Sequence, residues 1–378
     1  MEALVVELRP AGPLRLHGSG DRSAWSPGPG AIPGEEPLLP RLETLVGMLA
    51  DTAYRAGCTP SCGCKDWCSC SLAAAAHLLY GTGSASAALL GPLLVAETRE
   101  NGEKKTRVYI NVSTGLLDLD GLPAWAEAAK LLAMAWGALL PSHASRLAEE
   151  ARNSLQELEE KSLYIPAWRL ASRPTSVALD PQRKAASHGL IYSLARVDLR
   201  GGLEAALKAA LSRQGVEARV ERVRIVAVSL GWGPGHAPCT AEWASSLGPK
   251  STPVYVRLAR LEALNTPAKS PEEILSECTR ETCIALTPAP IEPGGWAGYA
   301  IHPRPPGPPL EVYARAYGTT GPGFAKDKPR PSYWPGTLLK GYRDPGSMCS
   351  SCNTPRLQLV HTPTLELLNR VGEALTQP

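Results

Sequence analysis

Residues 93 to 112 constrain this chain more than any other stretch, because they spell a hairpin. Apolar runs at 93–97 and 107–112 flank the turn Glu100-Asn101-Gly102-Glu103. Asn-Gly is the pair that most readily adopts the positive φ angles of a two-residue turn, so two antiparallel strands are expected here. The remaining patterns mix strands and helices. Residues 4–9 alternate as a first strand with one buried face, and 40–54 carry Leu42, Leu45, Val46 and Leu49 on one helical face. Helices are expected at 125–140, 144–161, 203–213 (stopped near Gly215) and 363–375, and extended runs at 218–230, 249–262, 283–291 and 310–317. Ser270 followed by Pro271 marks the start of a short helix to 279.

A second hairpin is expected at 169–199. A short apolar run at 177–179 meets an Asp180-Pro181 turn signal, and a longer run follows from 190 to 199. Leu190, Tyr192 and Leu194 share one face, whereas Ala195, Val197 and Leu199 continue on the other. The phase slips by one residue there, as a bulge would cause. Arg169, Arg173, Arg183, Lys184, His188 and Arg196 decorate this ribbon. A charged arm of this kind suits a phosphate backbone, although a hairpin with a merely solvated face reads the same way from composition.

The chain has 378 residues and a formal net charge of +3. Its length permits two domains, and its weak basicity means that any nucleic-acid contact must come from a local groove. The 36 prolines and 35 glycines punctuate periodic segments without forming a tract, which suits a loop-rich globular protein. Abundant loop proline with few amide side chains is compatible with a thermophilic source. The N-terminus resembles a strand and not a secretory leader, and the long uncharged stretch 71–96 is broken by His77, Gly81, Gly83, Gly91 and Pro92. The expectation is a cytoplasmic protein without a membrane span.

Four segments, taken together and in order, resemble the RAMP superfamily of CRISPR effector proteins, and most closely the family of the third subunit of the Cmr (type III-B) complex. The first is the opening strand, the Gly/Pro loop at 12–40 and the helix bearing Pro40, Leu45, Gly47 and Leu49. The second is the ribbon with its Gly189-Leu190-Ile191-Tyr192. The third carries Thr287, Pro288, Gly295 and Trp296, and the fourth Gly323, Phe324, Lys328, Pro329, Pro335, Gly336 and Thr337. The chain departs from the family at 231–236, where the usual acid and Arg are missing, and at Leu16-His17-Gly18, with Asp21 and Arg22 further on.

The resemblance implies an α+β fold of two ferredoxin-like (RRM-like, RAMP) domains, taken as 1–245 and 246–378, with a cysteine-rich insert at 55–72 and the ribbon at 169–199. It implies a non-catalytic subunit that grips the 5′ tag of the CRISPR RNA, caps the backbone subunits and docks on the large polymerase-like subunit, for antiviral defence. The candidate RNA-binding residues are Arg15, His17 and Arg22 in the first loop; Arg169, Arg173, Arg183 and Lys184 on the ribbon; and Lys326, Lys328, Arg330 and Tyr333 late in the chain. An RNA held in one register needs cations for phosphates and rings for splayed bases, and no acid/base pair.

Cys58, Cys62, Cys64, Cys68 and Cys70 fall within thirteen residues, and Cys349 and Cys352 form a CxxC pair. Four thiolates would hold structural zinc tetrahedrally; disulfides and free thiols are the competing readings. Cys278 and Cys283 suit a plain disulfide or buried thiols. Other functions stay open. A RAMP endoribonuclease would use His17, His188 or His236 as acid or base, the capping subunit of another type III complex would share the segments, and a zinc-ribbon protein would explain only the cysteines.

Overall fold

The structure is a computed structural model. It describes residues 2–16, 38–58, 67–81, 87–112, 115–172, 175–179, 186–193, 195–232, 238–247, 252–261, 264, 269–290, 299–301, 310–312, 330–344 and 357–377.

In chain order the first elements are β1 (Glu2–Pro10), β2 (Leu14–Leu16), α1 (Leu42–Arg55), α2 (Trp67–Tyr80), β3 (Ala87–Glu100), β4 (Glu103–Val112) and β5 (Gly115–Asp118). Next come α3 (Leu122–Gly137), α4 (Pro141–Glu160), β6 (Tyr164–Pro166), α5 (Ala167–Leu170), β7 (Ala171–Ser172), β8 (Thr175–Leu179), β9 (Ala186–Ser193) and β10 (Ala195–Val197). They are followed by α6 (Leu199–Leu211), β11 (Ala218–Trp232), β12 (Glu242–Leu247), β13 (Thr252–Leu261), α7 (Pro271–Ser276), β14 (Cys283–Ile284) and β15 (Ala289–Pro290). The chain closes with β16 (Tyr299–Ile301), β17 (Leu310–Val312), β18 (Arg330–Tyr333), β19 (Leu338–Lys340), β20 (Leu357–Val360) and α8 (Leu365–Thr376).

A nine-stranded sheet runs β12-β13-β1-β11-β3-β4-β5-β6, with β20 added parallel to the first residues of β3. Both β1 and β3 run antiparallel to β11, which lies between them, and are joined through α1 and α2. Likewise β4 and β11 flank β3. Two split β-α-β units therefore interlock. The α+β class agrees with expectation, but the boundary expected between 245 and 246 is not a break. It falls inside β12, which pairs residue by residue with β13, and β13 pairs with β1. Strands from late in the chain complete the sheet that the early strands begin.

β1 corrects a second expectation. Leu4, Val6 and Leu8 pack beneath α1, α2 and α6 through residues such as Leu45, Leu78 and Leu207, but Ala3 and Val5 are buried on the opposite face too. There Trp125 of α3, Ile274 of α7 and Val371 of α8 cover the sheet. Alternation disguised a strand buried on both sides at this end, because Glu7 and Arg9 interrupt only its far half.

Local signals predicted several elements well. The turn joining β3 and β4 has Asn101 at φ 49° and Gly102 at φ 87°. Ser270 accepts from Glu273 N (3.1 Å) while Glu273 accepts in return from Ser270 N (2.7 Å), a full capping box on α7. α2 was not foreseen beyond the cysteine insert. Its Ala73, Ala74, Ala75, Leu78 and Leu79 are all buried, so the helix is apolar on every side and shows no period to read. Among the described residues no helix is long and apolar enough to cross a membrane.

Candidate nucleic-acid interface

The root of the ribbon is where predicted site residues meet. β8 and β9 pair antiparallel, from Thr175↔Ser193 to Leu179↔Ala186, with a register shift between Val177 and Leu179. Leu194, where a phase slip was expected, lies outside the described residues. β10 joins a separate three-stranded sheet, β2-β10-β7, in which Arg196 is the register partner of both Arg15 and Ser172. The start of the first loop and the end of the ribbon are thus hydrogen-bonded to one another.

The root is held firmly. Leu170, Val197, Leu199 and Leu203 are buried in the main core. Asp198 N donates to Leu170 O (3.0 Å), and the Asp198 carboxylate caps α6 by accepting from Gly201 N (2.9 Å). α6 crosses α5 so closely that a Cβ on Gly202 would lie 2.9 Å from Arg169 O, which accounts for glycine at 202. On α5, the Arg169 guanidinium meets Glu159 Oε1 at 3.1 Å and lies 4.8 Å from the centroid of the Trp168 ring. Arg196 on β10, Arg200 on α6 and Arg213 just beyond α6 are exposed. A cleft of about 220 Å³ adjoins Arg169, but Glu159 and Glu160 line it together with Arg213, so it does not suit a phosphate.

Of the expected RNA-binding residues, Arg15 lies on β2 and Arg169 on α5, and the structure brings their elements together through β10 and β7. Tyr333 does not join them. It is on β18, opposite Ala289, and its ring meets Tyr342 edge-on at 5.8 Å in a small separate core. Arg330 begins the same strand, opposite Val312. His17, Arg22, Arg173, Arg183, Lys184, Lys326 and Lys328 lie outside the described residues, as does His236; His188 is on β9. Trp168 escaped the sequence reading because a lone tryptophan beside a helix pattern reads as core.

The cysteines are rearranged relative to expectation. Cys58 does not pair within its own cluster: it forms a disulfide with Cys239, 181 residues away, with Cα atoms 6.4 Å apart. Of the readings expected for Cys58, the structure has the disulfide, in which the sulfur is not available to a metal. Cys68 and Cys70 lie in the first turn of α2. Cys62, Cys64, Cys349 and Cys352 are outside the described residues. Cys278 and Cys283 form a disulfide, one of the two states expected for them.

Two polar clusters lie elsewhere. His361, 2% exposed, has Nδ1 3.1 Å from Asp344 Oδ1 and Nε2 3.1 Å from Glu43 Oε1. Burial alone would lower its pKa, but the two carboxylates hold it up to about 10. The ring is therefore a buried cation with both nitrogens donating, clamping α1 to the segment after β20. The second cluster is a strip across β13, β1, β11 and β3. Arg224 bridges Glu7 (2.5 Å) and Glu97 (3.1 Å), while Arg9 bonds Glu7 (3.2 Å) and lies 5.9 Å over the Tyr255 ring. The carboxylates within this strip neutralise much of its own positive charge.

No protein-family model matches the sequence, and no curated protein matches it. Solved structures similar in shape include two chains of the Type III-B Cmr-beta complex seen by cryo-EM. One complex is bound to cognate target RNA and AMPPnP in state 1 (12% identity, TM-score 0.44), the other to cognate target RNA (13% identity, TM-score 0.46). Each alignment covers 89% of this chain and 86% of the other.

Proposed function

We propose that the chain is a non-catalytic, RNA-binding subunit of a type III-B (Cmr) CRISPR RNA-guided effector complex. In this reading it holds the 5′ tag of the CRISPR RNA and caps the backbone subunits beside the large polymerase-like subunit. The observation that carries it is the pairing of β2 with β10, which places Arg15 of the first loop opposite Arg196 at the ribbon root. Two stretches picked out independently in the sequence as phosphate-contacting thus share one small sheet. Phosphate cations on a rigid root position a strand without chemistry, which is what a tag-holding subunit requires.

The test is to purify the natively expressed chain, sequence any bound RNA and identify partner proteins by mass spectrometry. CRISPR RNA with a repeat-derived 5′ end, together with backbone and large subunits, is the expected result. Metal-independent cleavage of RNA that disappears on replacing His17 or His188 would put an endoribonuclease in its place.

A further inference from the structure

Trp168 is 72% exposed, and its ring carries the Arg169 guanidinium 4.8 Å from its centroid. Tryptophan is highly buried on average, and Trp125 of this chain, 3% exposed, shows the usual outcome. Trp168 is nevertheless displayed from a fixed base. Leu170 anchors α5 in the core, Gly202 brings α6 against the Arg169 carbonyl, and Glu159 holds the guanidinium that lies on the indole.

We infer that Trp168 is a stacking platform for an unpaired base of single-stranded RNA at the ribbon root. The inference rests on the RNA-binding reading and adds the residue that seats a base. An exposed indole can also anchor a protein partner, but such anchors stand within an apolar patch. Among the described residues the other exposed large hydrophobic side chains are Tyr54, Met134, Leu139, Leu140 and Tyr255, and none belongs to α5 or α6. The exposed charged residues on and beside those elements are Arg196, Arg200, Lys208 and Arg213, together with Asp198 and Glu160. An exposed indole whose ring already accepts a cation, displayed from a fixed base, is what stacking on an unpaired base requires.

The experiment is a titration of fluorescein-labelled single-stranded RNA with wild type, Trp168→Ala and Trp168→Phe, read by anisotropy at several salt concentrations. Loss of one stacked base weakens binding about 5- to 150-fold. Trp168→Ala should show that loss with an unchanged salt slope, because stacking releases no counterions, and Trp168→Phe should recover most of it. Wild-type affinity in Trp168→Ala overturns the inference while leaving RNA binding intact. So does equal weakening in both variants, or a loss accompanied by a flatter salt slope. A wild-type protein that binds no RNA overturns the functional reading itself, and the stacking site with it.

Discussion

Arg196 on β10 is the register partner of both Arg15 on β2 and Ser172 on β7, so it stands on the central strand of that small sheet. Its side chain is exposed, and Arg196→Glu should weaken single-stranded RNA binding measured by anisotropy while leaving the urea midpoint nearly unchanged. Wild-type affinity in this variant would remove Arg196 from the interface.

The buried His361 cation gives a pH signature. Its folded pKa of about 10 lies above the ordinary 6.5, so its stabilisation is complete below 6.5 and is lost as pH rises towards 10. Glu43 acts at the acid end. Burial works against its charge, but the hydrogen bond and charge of His361 hold its pKa below 4.5, so its contribution is lost as pH falls through that lowered value. His361→Gln should lower stability by up to about 3 kcal/mol near neutral pH, because it removes the cation between the buried Asp344 and the partly exposed Glu43, and should flatten the alkaline decline. Denaturant midpoints measured across the pH range check both.

Cys58–Cys239 ties the end of α1 to the segment before β12, where Cys239 N also donates to Leu78 O at 2.9 Å. A bridge closing so long a loop is worth up to about 4 to 5 kcal/mol in the chain-entropy account. Replacing both cysteines with Ala should lower stability by a large part of that, and a zinc chelator should not reproduce the loss. Equal destabilisation by chelator would return Cys58 to a metal site.

At the hairpin turn, Asn101 N donates to Glu217 O (2.9 Å) and Asn101 Oδ1 accepts from Glu217 N (2.9 Å), with the backbone left-handed at φ 49°. Asn101→Ala removes the side-chain bond and meets the left-handed penalty, for a cost of about 1 to 2 kcal/mol. Urea unfolding should show a lower midpoint with an unchanged slope.

Features written in neighbouring residues were legible in the sequence, and features made by distant ones were not. Asn101-Gly102 and Ser270 with Glu273 each announced a local geometry that the backbone adopts. Spacing cannot reveal that Cys58 meets Cys239, or that β12, β13 and β20 complete a sheet begun by β1. α2 was hidden because burial on all sides erases helical periodicity. At the candidate site the cations Arg15 and Arg169 were visible as residue types, whereas the display of Trp168 depends on how α6 crosses α5.

The most direct test of the RNA-binding account is the salt dependence of single-stranded RNA affinity in Arg15→Glu/Arg196→Glu, compared with wild type. Every phosphate that is no longer neutralised should take about 0.7 off the slope of log affinity against log salt, so the double variant should bind more weakly with a slope flatter by about 1.4. Unchanged affinity and slope, with circular dichroism showing an intact fold, would contradict the account.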